Sequence, residues 1–440
     1  MEFIKESKKT AIHGEYDVIV VGGGIAGVSA ALAAARNNAK VLLLEKTTVL
    51  GGLATAGHVI WYLPLCDGMG RKVFGGIPEE LLYASIKYGY NDLPPQWHGK
   101  HESSQQNHMG SNSPAGPWEL NTTDRYKTIF NGPAFVMALD ELIKEAGIDL
   151  LLDTVFCDVH MEEGCLKAVI IENKSGRQAY LCKAAVDASG DADLLYRCGA
   201  ECIEQDNHIT YWAYVQTNND EKSISPNFVK LYTMGNYCGS DLPPGLPRFL
   251  GTDGRHVTDF LLKGREMTLE KMKKDPSLVF SSFPSQAQFR TTRRLRGDST
   301  FKTADAGKHF SDSIGCLSIW NVAEPVYEVP FGCLKTHLVK NVFAAGRIIS
   351  AANGQAWEII RPIPQCAMTG QAGGSAAAIY AKKGKTEIND LQLMLKKDGV
   401  MLTMNEKMEK QSLSWLAKWE KDDDPWFKDK EEGKIHQLRR

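Results

Sequence analysis

The segment Asp17 to Lys46, DVIVVGGGIAGVSAALAAARNNAKVLLLEK, constrains the fold more than any other part of the chain. The apolar run Val18–Val21 reads as a buried parallel strand, the alanine-rich run Ile25–Arg36 as a helix, and Val41–Leu44 as a second buried strand. Gly22, Gly24 and Gly27 fall at the first turn of this β-α-β unit. Gly22 permits the tight turn, Gly24 lets the backbone approach a pyrophosphate, and Gly27 lets the helix pack close to the strand. The phosphates belong at the helix N-terminus, beside Ile25 and Ala26, where unpaired N–H groups and the helix dipole favour anions. Glu45 ends the second strand about 20 residues on, where a carboxylate accepts hydrogen bonds from a ribose diol, and Lys46 follows it. The unit predicts an α/β chain with a Rossmann-like dinucleotide site.

A chain of 440 residues with 43 % hydrophobic content exceeds one simple core, so two intertwined domains are expected. With a formal net charge of −2 and no basic block in the body of the chain, nucleic acid is not an expected partner. The N-terminal MEFIKESKKT lacks an apolar targeting core, and no apolar run approaches the roughly 20 residues of a membrane span, which predicts a cytoplasmic protein without membrane partners. The ten cysteines never form a Cys-x-x-Cys pair, and His, Asp and Glu show no compact ligand spacing, so no metal is expected.

The next segment, LGGLATAGHVIWYL from Leu50 to Leu63, bears on the choice of dinucleotide. A nicotinamide dehydrogenase would continue into another crossover helix, whereas here Gly51-Gly52 follows Glu45 after a short loop. Paired glycines permit a second close backbone approach, with Leu53 and Ala54 following them. The pattern E-x-x-x-x-x-G-G after a GxGxxG unit resembles flavoproteins with the glutathione-reductase-like FAD fold. Two later segments add to the resemblance. Ala188-Ser189-Gly190 is similar to the Ala-Thr-Gly turn that closes over FAD in that superfamily. Gly346 ends another strand where the superfamily places Gly-Asp near the ribityl chain, although Arg347 replaces the Asp here. Val155 matches the position whose backbone contacts adenine.

Taken together, GGLAT, VDASGDAD, FRTTRRLRGD, AGRIISA and IRPIPQCAMTGQAGGSAAA resemble the FAD-dependent oxidoreductase (FAD-oxidored) family, from about Tyr16 to about Val400. The resemblance implies FAD as cofactor and redox chemistry, and leaves the substrate open. It departs at SAANGQAWEII, where members often carry His and this chain has Asn353, so no acid–base role transfers to that position.

The implied organisation is a discontinuous FAD-binding domain of parallel sheet plus β-meander (residues 1–60, 131–200 and 337–390), an inserted α+β substrate domain (61–130 and 201–336) and a C-terminal helical extension (391–440). The run after Gly132-Pro133 reads as a helix ending at Gly147, and Asp158–Leu181 as a meander turning at Glu163-Gly164 and Lys174-Ser175-Gly176. The charged tail beyond Asn405 reads as a solvated helix and extension, with packing on a second copy in a homo-oligomer as the alternative.

Thr369-Gly370-Gln371-Ala372-Gly373-Gly374 reads as the start of a helix entered after Pro364. N–H groups of Gln371 to Gly373 aimed at the flavin N1–O2 edge would stabilise the charge gathered there on reduction. The alternative is a small-residue helix packed tightly on the sheet. Arg361 precedes this helix and is a catalytic candidate, as are His58 and Tyr62, which follow the Gly51-Gly52 turn. Arg290 and Arg294 share one face if their segment is a strand and suit an anionic substrate, or else tie the two domains together. Trp61, Trp357 and Tyr327 are candidates for an aromatic wall over a substrate.

The expected activity is hydride transfer between a small organic substrate and flavin N5, either dehydrogenating a C–H next to O or N or reducing an activated alkene. The external electron donor or acceptor is left open. A nicotinamide-only dehydrogenase is one alternative, and non-redox or sacrificial use of the dinucleotide, as in thiazole synthases of a related fold, is another.

Overall fold

The computed structural model describes residues 7–63, 65–69, 71–88, 115–116, 119–120, 128–216, 229–236, 244–320, 322–421, 429–430 and 434–438. Much of the proposed substrate segment 61–130, Cys238 and parts of the charged tail lie outside the described residues.

Strand β1 (Ala11–Val21), helix α1 (Ile25–Arg36) and strand β2 (Val41–Leu44) form the expected crossover. β1 extends seven residues before Val18, because only its last four residues are buried and only those carry an apolar signal. Helix α2 (Gly132–Glu145) leads into β3 (Asp149–Leu151), followed by β4 (Val155–Glu162), β5 (Cys165–Asn173) and β6 (Gly176–Asp187). Strand β7 (Val342–Ala344) and helix α3 (Ile363–Lys383) complete the unit. The sheet order is β3-β2-β1-β6-β5-β4, with β7 beside β6. β3, β2, β1, β6 and β7 run parallel, while β6, β5 and β4 form the antiparallel meander. The twelve-residue β6 serves both parts: residues 176–181 pair with β5, and Ala185–Asp187 pair with β7. The protein is thus an α/β fold whose main sheet is dominated by parallel pairing, with its largest core between α1, α3 and this sheet.

Helix α3 begins at Ile363 with Pro364 in its first turn, so Gly370, Gln371, Ala372 and Gly373 lie in its middle rather than at its start. A Cβ on Gly370 would fall well inside contact of Ala26 O, and one on Gly374 would do the same at Ala30 O. These residues are small because α3 presses on α1, with Gly373 facing Val186 and Ala344 of the sheet. The packing alternative holds, and the motif's reading as a helix start is corrected: proline at the second position is what marks the true start.

A second cluster, with Ile209, Tyr211, Ala213, Phe249, Phe260 and Phe289 buried, forms where the antiparallel strands Val229–Asn236, Thr210–Gln216 and Val279–Ser282 meet helix Gly254–Lys274. The tail is not only helical. Helix Glu406–Trp419 buries Met408, Ser412 and Leu416 against its own chain, and Lys434–His436 pairs with Cys202–Glu204.

Candidate active site

The C-terminal ends of β1, β2, β6 and β7 converge on one cavity of about 630 Å³. In open parallel sheets, ligands bind outside these strand ends. Gly22, Gly24, Ile25 and Ala26 line it from the first turn, and Glu45 and Lys46 from the end of β2. Gly51, Gly52, Leu53 and Ala54 form another wall, with Val155, Ala188, Ser189, Gly190, Gly346 and Arg347 opposite or beside them.

The backbone explains the glycines. Gly22 has φ 104°, and a Cβ there would strike Ala188 O. Gly27 does not line the cavity; a Cβ on it would overlap Gly22 O, so its part is to let α1 approach the turn. Gly24 is different: its φ of −66° is ordinary, and an added Cβ would meet nothing within 4 Å. Its missing side chain keeps the cavity open in front of α1, whose first turn has no side-chain cap. Glu45 is 5 % exposed, and its carboxylate accepts from Gly23 N at 2.6 Å and Thr47 N at 2.7 Å. Both oxygens retain lone pairs for a ligand diol.

Across the cavity the turn after β6 is fixed from several sides. The fully buried Asp187 accepts from Ser189 N, Ser189 Oγ and Leu195 N, and burial outweighs these bonds and pushes its carboxyl up to about 6. Arg347 Nε donates to Gly190 O at 2.7 Å and its Nη2 to Asp191 Oδ1 at 3.1 Å. Arg347 therefore fastens the end of β7 to the turn after β6.

Several sequence candidates lie elsewhere. Gly370, Gln371, Ala372 and Gly373 do not line the cavity, and Gln371 Oε1 instead accepts from Ile77 N at 3.0 Å. Tyr62 is fully buried, donates its hydroxyl to Pro78 O, and is raised by burial well above the usual phenol range. His58 sits outside the cavity lining at φ 58°, stacked on Tyr214 at 4.0 Å, with Nε2 3.0 Å from Ser282 Oγ. Trp357 is buried beneath Arg361, whose guanidinium lies 5.0 Å over its ring, and Tyr327 packs on Phe301 in the core. Arg294, 1 % exposed, donates to Ala351 O, Gln205 Oε1 and Asn353 Oδ1, so its guanidinium is engaged within the fold. Its alternation with Arg290 fails because the strand spans only Arg293–Leu295 and the chain before it is irregular.

Two consequences follow for these displaced residues. Arg294→Lys should lower unfolding stability by about 2–3 kcal/mol while flavin content stays unchanged, because a single ammonium nitrogen cannot reach the three acceptors spread around the guanidinium, two of them on buried residues; chemical denaturation and flavin absorbance of the same sample check this. Burial lowers His58 from 6.5 to about 4, so between those values the unfolded chain binds a proton that the folded one refuses. Stability should then fall as pH drops, with His58 contributing about 2 kcal/mol of the loss between pH 7 and pH 5. His58→Asn, which tolerates the positive φ, should be flatter by that amount in urea midpoints at the two pH values.

The same cavity is lined by Trp61, Trp212, Gln288, Arg290, Trp320, Glu358 and Arg361. Glu358 pairs with Arg361 Nη2 and stands 3.8 Å from Arg290 Nη1. Cys366 also faces the cavity; its Sγ donates to Arg361 O at 3.1 Å, and burial pushes the thiol up to about 12, so it stays neutral. Of these, sequence reading found Trp61, Arg290 and Arg361. Gln288 and Trp212 carried a signal in spacing: Gln286, Gln288 and Arg290 recur every second residue, as do Thr210 and Trp212, and all five line the cavity, whereas Trp320, Glu358 and Cys366 carried none.

A parallel sheet with a glycine turn, an acidic strand end and a cavity extending past the dinucleotide cradle defines a nucleotide-cofactor α/β enzyme. The chain belongs to the FAD dependent oxidoreductase family, matching it over residues 17–229 and 253–397. Its cofactor is FAD, and the open cradle at Gly24, the uncapped α1 and the Glu45 carboxylate fit that group. Over 90 residues it is 40 % identical to a fumarate reductase (cytochrome) of Shewanella frigidimarina, covering 20 % of this chain and 15 % of that protein. A vinyl phenol reductase of Lactiplantibacillus plantarum is 36 % identical over 81 residues, or 18 % of this chain and 16 % of that protein. The chain thus spans about 15 % of the length of the curated relatives it matches. Among solved structures, a geranylgeranyl bacteriochlorophyll reductase-like protein from Thermoplasma acidophilum gives a TM-score of 0.40 at 13 % identity, covering 91 % of this chain and 87 % of that one. The open conformation of a flavocytochrome c3 fumarate reductase gives 0.38 at 15 % identity, covering 84 % and 79 %. Among the described residues no helix is long and apolar enough to cross a membrane.

Proposed function

We propose that the protein transfers a hydride between a small organic substrate and FAD. The supporting observation is that one cavity joins the dinucleotide cradle to the end lined by Trp212, Gln288, Arg290, Trp320, Glu358 and Arg361. Bound FAD supplies a two-electron acceptor or donor, able to oxidise a C–H next to O or N or to reduce an activated alkene. In this reading the pyrophosphate lies at Gly22, Gly24, Ile25 and Ala26, the ribose at Glu45 and the adenine at the Val155 backbone, while the turn Ala188–Gly190 closes over the cofactor and Gly346 and Arg347 lie near the ribityl chain.

At the substrate end, Arg290 and Arg361 orient a polar or anionic group, while Trp212 and Trp320 cover the apolar body and exclude water. Helix α3 presents its N-terminus to the cavity at Pro362 and Ile363, so the favourable positive end of the dipole is supplied there. The two relatives named above both carry the names of reductases, which accords with the alkene-reducing direction. The test is a screen of small hydride donors and unsaturated acceptors against the FAD-loaded protein without oxygen, following flavin bleaching or recolouring. A fully FAD-loaded protein whose flavin exchanges electrons with dithionite but with no organic compound of either class would sink the reading.

A further inference from the structure

We propose that Glu358 is a specificity-determining residue that restricts the substrate end to ligands carrying a single negative charge. The inference rests on the reading of this cavity end as the substrate site and goes beyond it by fixing the charge of what binds.

Three observations carry it. First, Glu358 is held among cations: one oxygen pairs with Arg361 Nη2, and the other lies 3.8 Å from Arg290 Nη1, with the acid's side chain only 13 % exposed. The carboxylate is therefore a fixed wall charge of the cavity rather than a solvated group. Second, the polar atoms of the lining that are buried without a hydrogen-bond partner among the described atoms are Thr210 Oγ1, Trp212 Nε1 and Arg361 Nε. All three can donate, and the indole and guanidinium nitrogens can only donate. A ligand that satisfies them must present acceptors, as a carboxylate or conjugated carbonyl does. Third, the aromatic side chains Trp212 and Trp320 line the same cavity, and indole rings suit a planar unsaturated body.

Arg361 is thus divided in use. One of its terminal nitrogens, Nη2, is occupied by Glu358, and its buried Nε has no hydrogen-bond partner among the described atoms. A second carboxylate in the same cavity would face the Glu358 carboxylate in a site with little water to screen the repulsion. Selectivity then arises from a repulsive element built beside an attractive one.

The experiment uses the FAD-loaded protein and two probes of the same outline, terephthalate and its monomethyl ester, titrated by perturbation of the flavin absorption spectrum. Wild type should bind the monoester at least about tenfold more tightly than the dianion, a ratio that reflects like-charge repulsion at short range. In Glu358→Gln the ratio should collapse to within about threefold, chiefly by tighter binding of the dianion. Gln keeps the size and an acceptor oxygen, so a purely packing role for Glu358 would leave the ratio unmoved. Equal affinities in wild type, no binding of the monoester at millimolar concentration, or an unchanged ratio in a folded Glu358→Gln protein would each overturn the proposal. If the variant does not fold, the wild-type ratio alone decides. A protein that fails to take up FAD, or whose flavin reacts with no organic donor or acceptor, would count instead against hydride transfer itself.

Discussion

Gly24→Val should yield a folded protein that purifies essentially without flavin. The position has an ordinary φ and open space in front of it, so valine costs the fold little, and its side chain projects into the cradle at the head of α1. Blocking the approach of the pyrophosphate to the first-turn N–H groups removes several charge-assisted hydrogen bonds together, which should weaken FAD by at least about 100-fold. Flavin-to-protein absorbance ratio, with circular dichroism to establish folding, checks the outcome. Full FAD occupancy in the folded variant would remove the assignment of this turn to the phosphates.

Gly374→Val should act in the opposite way, on the fold before the cofactor. Its Cβ would already overlap Ala30 O across the α1–α3 contact, and the two further methyl groups have nowhere to go. Neither helix can retreat easily, since α1 is buried over Ile25–Ala34 and α3 over most of its first seventeen residues. Overpacking of this kind, against backbone rather than a flexible side chain, should cost about 3–5 kcal/mol. Denaturant unfolding of the FAD-free protein measures it directly. A stability within 1 kcal/mol of wild type would mean that α3 can slide along α1.

The contrast between these two glycines explains how much could be read from the sequence. The β-α-β unit was legible because its signals are local: four buried residues in β1, an uninterrupted small-residue helix, and an acid at the end of β2. The meander was legible for the same reason, its turns at Gly164 and Gly176 both having positive φ. In α3, however, a glycine at a helix start and a glycine at a helix crossing look alike in one dimension. Only the early Pro364 distinguished them, and it was outweighed by the run of small residues that followed.

The proposed substrate end was less legible because its residues are brought together by tertiary contact. Arg290 and Glu358 are 68 positions apart, yet they share a charge cluster with Arg361. His58 and Tyr62 follow the glycine pair closely in sequence, but the positive φ at His58 and the Pro78 carbonyl turn both side chains into the protein. Arg294 kept its charge for the fold: three protein acceptors, not a ligand, explain why the position is arginine. A buried, multiply bonded guanidinium and a ligand clamp have the same one-letter signature.

Arg347 has a bearing on how the protein acquires its flavin. Its bonds to Gly190 O and Asp191 are joined by Thr292 Oγ1, which donates to Asp191 Oδ1 at 2.8 Å, and by Arg293 Nε, which donates to Asp191 O at 3.1 Å. The receptor surface on that side is wired together by the polypeptide alone, so its ordering entropy is spent during folding and not at the moment of capture. Flavin uptake should accordingly resemble docking into a preset mould, and stripped protein should regain its yellow colour on simple mixing without passing through a refolding step.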